Sequence, residues 1–156
     1  MAFEMGPCRA TVRPEWVDYN GHLRDAFYAL IFSYATDALM DRIGLDAAGR
    51  ERDHASVYTL ECHINFLREV KLGSEVEVHT QLLGADAKRL QVFHSMVLAG
   101  QSEPVAASEQ MLLHVDTRGP KSAVFSSRVM PAVQALLAAH AGLARPVHAG
   151  RVIRLP

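Results

Sequence analysis

Residues 25–43 constrain the fold most, because apolar side chains occur on nearly every side of a helix drawn through them. They are Phe27, Tyr28, Leu30, Ile31, Phe32, Tyr34, Leu39, Met40 and Ile43. A helix that is apolar all round belongs in a protein interior. Gly44 follows directly and suits the C-terminal end of a helix. The segment therefore predicts one long buried helix, against which the rest of the chain must pack.

Strand-like patterns surround this helix. A short strand is expected at Cys8–Val12, and longer strands at Val57–Phe66, Glu75–Leu83, Leu90–Leu98 and Val105–Val115, with a turn at Gly84–Asp86 and a break at Thr117–Lys121. In Val57–Phe66 apolar and polar residues alternate, which is the strand period. A last helix is expected from Pro131 to about His140. Together these elements predict an α+β domain, a curved antiparallel sheet wrapped around one helix.

Length and composition fit a single domain. The 156 residues predict one domain at 1–142 and a basic tail at 143–156, which is either loosely ordered or lies on a partner subunit. The net charge of −1 gives no global attraction to nucleic acid or to an anionic membrane. No apolar stretch approaches the roughly 20 residues that span a bilayer. We therefore expect neither a nucleic-acid partner nor a membrane.

The cysteines and the N-terminal residues bear on location. Only Cys8 and Cys62 are present, and their spacing is not that of a metal site. The first ten residues have no basic segment followed by a long apolar run, as a signal peptide would. A reducing cytoplasm is the expected compartment.

A short polar segment directly before the buried helix contains Asp18, Asn20, Gly21 and His22. A carboxylate there can attack a substrate or deprotonate water, and the unpaired N–H groups at a helix start can hold a developing oxyanion. From residue type alone, Asp18 could instead be a turn or capping carboxylate, and Asn20-Gly21 simply a turn. The position before a buried helix favours the catalytic interpretation.

The segment Asp18-x-Asn20-Gly21-His22 resembles the signature of the 4-hydroxybenzoyl-CoA thioesterase family of hot-dog proteins. The order of elements is also similar to that family's over residues 8–140. The resemblance implies a hot-dog fold, Asp18 as the catalytic carboxylate, and a backbone N–H near Asp25 as the oxyanion donor. Asn20 and His22 would orient Asp18 or water. Many members carry two asparagines where this chain has Arg24 and Asp25.

Three stretches resemble the betainyl-CoA thioesterases of carnitine degradation: Val12–His22, Thr80–Leu90 and Ser108–Thr117. This resemblance implies hydrolysis of a small acyl-CoA, in that case betainyl-CoA to glycine betaine and CoA, without a cofactor. A trimethylammonium group is often held by aromatic faces. Trp16, Tyr19, Phe27 and Tyr28 could supply such a cage, with Trp16 foremost. The alternative places Phe27 and Tyr28 in the core of the helix.

Other candidate contacts lie on the strands. Lys88 and Arg89 follow a hairpin turn and could bind the phosphates of CoA, or could be a solvated pair. Glu61 and His63 share a strand face and could contact the acyl group, although an exposed or interface face is favoured. His94 alternates with apolar neighbours, which predicts a core or interface histidine.

The sequence also bears on metal binding, on oligomerisation and on competing functions. His114 and Asp116 have no third ligand nearby, so no metal site is expected. A sheet wrapped on one helix leaves an open edge, and hot-dog proteins usually close it by pairing, so a homodimer or homotetramer is expected. The competing functions are a non-catalytic acyl-CoA-binding module and, ranked last, a hydratase, which would pair Asp and His in a different element.

Overall fold

A computed structural model describes residues 5–156 of the protein. Residues 1–4, where the predicted domain begins, lie outside the described residues. In chain order the elements are β1 (Cys8–Thr11), a 3₁₀ helix (Pro14–Trp16), α1 (Asp25–Arg42), α2 (Ala47–Asp53), β2 (Ala55–Phe66), β3 (Glu75–Ala85), β4 (Arg89–Leu98), β5 (Pro104–Asp116), β6 (Lys121–Ser122) and α3 (Met130–His140). The α+β prediction is confirmed.

Helix α1 spans almost the whole predicted segment and packs on the concave face of the sheet. Ile31, Phe32, Ala35 and Leu39 have no exposed surface. Burial on all sides, however, was wrong, because Tyr34 is 42% exposed on the opposite face. The sheet curls around one side of the helix only, so the other side remains uncovered in a single chain.

The end of α1 follows its sequence signal. Gly44 has a φ of +92°, the left-handed region that glycine adopts without a Cβ penalty. The N–H of Leu45 then donates to the carbonyl of Met40 at 2.8 Å. The short helix α2 was not predicted. The side chain of Asp46 caps it by accepting from the N–H of Gly49 at 2.8 Å.

The sheet has the strand order β1-β3-β4-β5-β2, with β6 paired to β5, and its pairings are antiparallel. The four long strands lie within two residues of their predicted bounds. The predicted break at Thr117–Lys121 is partly wrong, because Lys121 already belongs to β6. Register shifts leave one residue unpaired in each of β2, β3 and β5, and they mark bulges, which bend a strand and increase its twist. They account for the curvature of the sheet around α1.

A polar network lies inside the core between α1 and the sheet. His94 is fully buried, with Nε2 3.1 Å from Thr36 Oγ1 and Nδ1 2.9 Å from Thr80 Oγ1. Thr36 also lies 3.1 Å from Oε1 of Gln110 on β5. Burial lowers the pKa of His94 to about 4, so the ring is neutral at pH 7. The prediction of a core histidine is confirmed, and the network ties the helix to β3, β4 and β5.

The C-terminal tail crosses the outer face of the same chain's sheet. The side-chain amide of Gln81 donates to the carbonyl of Ala144, and the N–H of Gly150 donates to the carboxylate of Glu109. Several apolar side chains of the tail nevertheless point to solvent: Val147, Val152, Ile153 and Leu155. Among residues 5–156, no helix has the length and apolar character that a membrane crossing requires.

Candidate active site

Asp18 lies in a tight turn between the 3₁₀ helix and α1. Its Oδ1 accepts the backbone N–H of Asn20 at 2.8 Å and that of His22 at 3.1 Å. Gly21, at φ +74°, closes the turn and donates to the carbonyl of Asp18 at 3.0 Å. The turn interpretation of Asn20-Gly21 is therefore correct, and the turn is also what positions the carboxylate.

The electrostatics of this turn favour the ionised form of Asp18. The N–H of His22 has the largest effect and lowers the pKa of the carboxyl. Desolvation opposes this effect, and the N–H of Asn20 and the charges of His22 and Arg24 lower the pKa further. Within residues 5–156 both hydrogen bonds go to Oδ1. Oδ2 accepts neither of them and is the candidate base or nucleophile of this carboxylate.

The turn is bound to the loop that follows β2. Leu23 donates its N–H to the carbonyl of Val70 at 2.7 Å, and Leu72 donates to the carbonyl of Gly21 at 2.9 Å. The ring Nε2 of His22 lies 3.3 Å from a carboxylate oxygen of Glu69 in this loop. Asp18 is therefore held by a backbone frame built from two separate segments of the chain.

Helix α1 begins at Asp25, beside this turn. Arg24 occupies the N-cap without a side-chain capping bond. In the first turn, the N–H of Ala26 donates to the Asp25 carboxylate at 2.8 Å and the N–H of Phe27 donates to the carbonyl of Arg24 at 3.0 Å. Neither bond involves the N–H of Asp25. The family resemblance implies a backbone N–H near Asp25 as the oxyanion donor.

A pocket of about 370 Å³ joins these groups. It is lined by Asp18, Asn20, His22, Leu23, Asp25, Tyr28, Phe66, Leu67, Arg68 and Glu69. The structure thus brings together all four predicted catalytic residues and one predicted substrate contact, Tyr28. Sequence reasoning missed Leu23, Phe66, Leu67 and Glu69 as pocket residues. The pocket forms where the end of β2 meets the start of α1, and no local sequence signal indicates this contact between distant segments.

The aromatic side chains divide between two places. Trp16 is buried and lines a different cavity of about 720 Å³, stacked on Phe27 at 5.9 Å. Tyr19 is 93% exposed and is not part of the Asp18 pocket. Tyr28 does line that pocket, and its ring meets Phe66 edge to face at 5.2 Å. The cage expected around Trp16 is therefore not assembled at Asp18 within one chain.

Lys88 and Arg89 lie at the far end of the sheet. Arg89 pairs with Leu113 on β5, whereas Phe66 at the pocket pairs with Ala106. These positions are about 23 Å apart at roughly 3.3 Å per residue. Arg89 forms an ion pair with Asp86 at 2.6 Å, and Lys88 Nζ lies 3.3 Å from a serine hydroxyl. Within one chain neither reaches the pocket, and their contact with CoA stays a prediction.

Glu61 and His63 face away from α1. They pair with Met111 and Glu109 on β5, and Cα partners in an antiparallel pair share a face. The intervening Gln110 contacts α1, so these two side chains lie on the outer face. They line a cavity of about 280 Å³ that the tail helps to form. Their role as acyl contacts is not met within one chain and stays a prediction.

No group of three potential metal ligands occurs in the part of the chain that the structure describes. His114 is bonded through Nδ1 to the carbonyl of Ala123 at 2.8 Å. The Asp18 pocket contains carboxylates and aromatic rings.

Comparison with known proteins identifies the class. The sequence pattern of the Thioesterase-like superfamily matches residues 12–139. The chain belongs to this superfamily, which confirms the predicted family, the hot-dog fold and a thioester hydrolase.

Particular relatives agree with this class. The chain is 60% identical to a betainyl-CoA thioesterase of Pseudomonas aeruginosa over 93% of this chain and 91% of that protein. It is 46% identical to an L-carnitine dehydrogenase/betainyl-CoA thioesterase of Agrobacterium fabrum, but spans only 29% of that longer protein. The predicted resemblance to betainyl-CoA thioesterases is thereby confirmed.

Two solved structures show the same fold. A Pseudomonas putida crystal structure is 55% identical, with a TM-score of 0.84 and 96% of both chains covered. A Staphylococcus aureus protein solved in complex with CoA is 25% identical, with a TM-score of 0.88, and 100% of this chain and 99% of that chain are covered.

Proposed function

We propose that the protein hydrolyses betainyl-CoA to glycine betaine and CoA, with Asp18 as the catalytic carboxylate. The observation that carries this proposal is the placement of an ionised, backbone-held carboxylate at the start of a buried helix, inside a pocket. The 60% identity to a betainyl-CoA thioesterase supports the substrate.

The pocket geometry suits acyl transfer to water. Asp18 attacks the thioester carbonyl carbon or removes a proton from the attacking water. The carbonyl oxygen gains negative charge and is stabilised by the N–H of Asp25 at the positive end of the α1 dipole. The carbon–sulfur bond then breaks and sulfur leaves as the thiolate of CoA, which takes up a proton. With water as the nucleophile the free acid forms directly. With Asp18 as the nucleophile the acyl group is left as a mixed anhydride with its carboxylate, and water hydrolyses this anhydride to the free acid and regenerates Asp18. One donor of this kind lowers the barrier by roughly 3–4 kcal/mol.

Release of free thiol from a panel of CoA thioesters tests the proposal. Betainyl-CoA is expected to give the highest kcat/KM, ahead of benzoyl-CoA and straight-chain thioesters. Asp18→Asn should lower kcat by about 10²- to 10⁴-fold, because the amide oxygen still accepts the two N–H bonds but lacks the charge. Asp37→Asn, an exposed residue of α1 outside the pocket, is the matched control. Binding of CoA thioesters without turnover would contradict this proposal and support a non-catalytic acyl-CoA-binding module.

We propose a dimer formed along β2, with a cytoplasmic location. β2 is an edge strand of the sheet, and Leu60 on it is 57% exposed. A long apolar edge is a template for pairing with another strand. Antiparallel pairing with the β2 of a second copy would bring the Lys88–Arg89 end of one sheet towards the Asp18 end of the other. Cys8 and Cys62 are both free thiols, which suits a reducing compartment.

Light scattering with size-exclusion chromatography tests the dimer. Leu60→Lys should give a monomer with little activity, because it places a charge in the proposed interface. Val124→Lys is the control, since Val124 is also exposed but lies outside β2. A Leu60→Lys protein that remains dimeric would exclude β2 as the contact, and an unmodified protein that is monomeric would exclude the dimer.

A further inference from the structure

The Asp18 pocket carries more negative than positive charge. Three carboxylates line it, from Asp18, Asp25 and Glu69. The guanidinium of Arg68, also at the pocket, is already paired with the carboxylate of Glu103. A cation entering this pocket is attracted by the surrounding charges, and an anion is repelled.

An aromatic pair forms part of the same wall. Tyr28 is fixed by burial and by its hydroxyl, which donates to the carbonyl of Arg68 at 3.2 Å. Phe66 meets it edge to face and remains 52% exposed in the single chain. The buried ring of Tyr28 supports that of Phe66, which remains accessible and can hold a cation against its face.

Substrate dimensions keep a quaternary ammonium within the pocket that this wall lines. In a betainyl group one methylene separates the nitrogen from the carbonyl carbon, so these atoms are about 2.5 Å apart. When the carbonyl carbon lies at Asp18, the trimethylammonium group must lie within the same pocket. It cannot extend to the separate cavity that Trp16 lines.

We propose that Tyr28 and Phe66, together with the carboxylate of Glu69, form a subsite that selects acyl groups carrying a quaternary ammonium. This proposal rests on the proposed thioesterase function and assigns its specificity. The rings provide the contact with the methyl groups. These groups form the outer surface of the cation and carry part of its positive charge. Glu69 is exposed and acts through the field in the pocket, so its effect is smaller than that of the rings.

A neutral substrate of the same shape isolates the charge. In 3,3-dimethylbutyryl-CoA a quaternary carbon replaces the nitrogen of betainyl-CoA. The measurement is the ratio of kcat/KM for the two thioesters, each divided by its rate of hydroxide-catalysed hydrolysis to remove their different intrinsic reactivity. The unmodified protein should favour betainyl-CoA. Phe66→Leu should lower the ratio by about fivefold to tenfold, and Glu69→Gln by about twofold.

Matched variants separate the subsite from general effects. Phe66→Tyr keeps a ring and should keep the ratio. Tyr34→Leu, an exposed aromatic of α1 outside the pocket, and Glu51→Gln, an exposed carboxylate of α2, should leave it unchanged. A corrected ratio near one in the unmodified protein, or a ratio that Phe66→Leu does not move, would overturn the subsite. Failure to hydrolyse betainyl-CoA at all would instead overturn the proposed function.

Discussion

Asp18 and His22 are joined by two hydrogen bonds in opposite directions. The N–H of Asp18 donates to the carbonyl of His22 at 2.9 Å, and the N–H of His22 donates to Oδ1 of Asp18 at 3.1 Å. The position of the carboxylate is therefore determined by main-chain geometry and does not depend on packing of the side chain. Because preorganised groups need little rearrangement during reaction, this arrangement suits a catalytic carboxylate.

The pKa of Asp18 should lie below the ordinary value of 3.8 for an aspartate. The hydrogen bonds from the turn stabilise the ionised form, so Asp18 remains a carboxylate as the pH falls towards 4. Carboxyl ¹³C NMR as a function of pH, with the Asp18 signal assigned by its loss in Asp18→Asn, measures this value. A titration midpoint above 4 would contradict the expectation.

Gly21→Ala should impair catalysis more than stability. The φ of +74° costs a residue with a Cβ about 1–2 kcal/mol, and no heavy atom lies within 4 Å of the new methyl group. Relief of this strain would displace the Asp18 carboxylate and lower kcat. Gly100→Ala is the matched control, because Gly100 has a φ of +77° with equally open space but lies outside the pocket. Equal activity in the two variants would show that the turn does not position Asp18.

Stability should fall as the pH falls from about 6.5 to 4. His94 titrates near 6.5 when unfolded and at about 4 when folded, so the unfolded state binds more protons between these values. The free energy of unfolding at pH 7 therefore contains up to about 3 kcal/mol that is lost towards pH 4. Urea unfolding at several pH values measures the change.

A pair of histidine variants tests this assignment. His94→Gln, which stays neutral between its two threonine partners, should have a flatter pH dependence. His79→Gln removes an exposed histidine and should behave as the unmodified protein does. Should His94→Gln fail to fold, ring ¹⁵N chemical shifts of the unmodified protein decide the matter: a His94 that is protonated at pH 6 would refute the expectation.

Removal of residues 143–156 should leave a folded domain. The tail touches the sheet through few hydrogen bonds, and most of its side chains are exposed, whereas Val133 and Leu136 of α3 are core residues that the truncation retains. We expect the thermal midpoint to fall by only a few degrees. Extension of the truncation to residue 129, which removes α3, should unfold the protein; a similar loss from the shorter truncation would show that the tail belongs to the domain.

Local patterns predicted much of the fold. A long run with apolar side chains on nearly every side, ended by Gly44, predicted α1 to within one residue, and strand-like patterns predicted β2 to β5. The short helix α2 was not predicted, because seven residues with mixed polarity carry little periodic signal and the Asp46 cap is a weak indication by itself. The exposed side of α1 was also not predicted. Apolar residues show that a helix face can be buried, but they do not show how far the sheet curves around the helix.

The pocket was predicted only where it is local in sequence. Asp18, Asn20, His22 and Asp25 lie in one short segment, so the pattern contained their proximity. Phe66 and Glu69 reach the pocket through the pairing of separate segments, which a single sequence does not display. The same holds for Glu61 and His63. The side of the sheet on which they lie follows from the register between β2 and β5, which the sequence alone does not show.

The strand order has a consequence during synthesis on the ribosome. β2 is completed before any other long strand, yet its sheet partner is β5, the last of the four to be made. Until residues 104–116 have emerged, β2 has no partner within its own chain, and Leu60 and Phe66 remain open to other nascent chains. During synthesis β2 therefore stays without its sheet partner for longer than any other long strand.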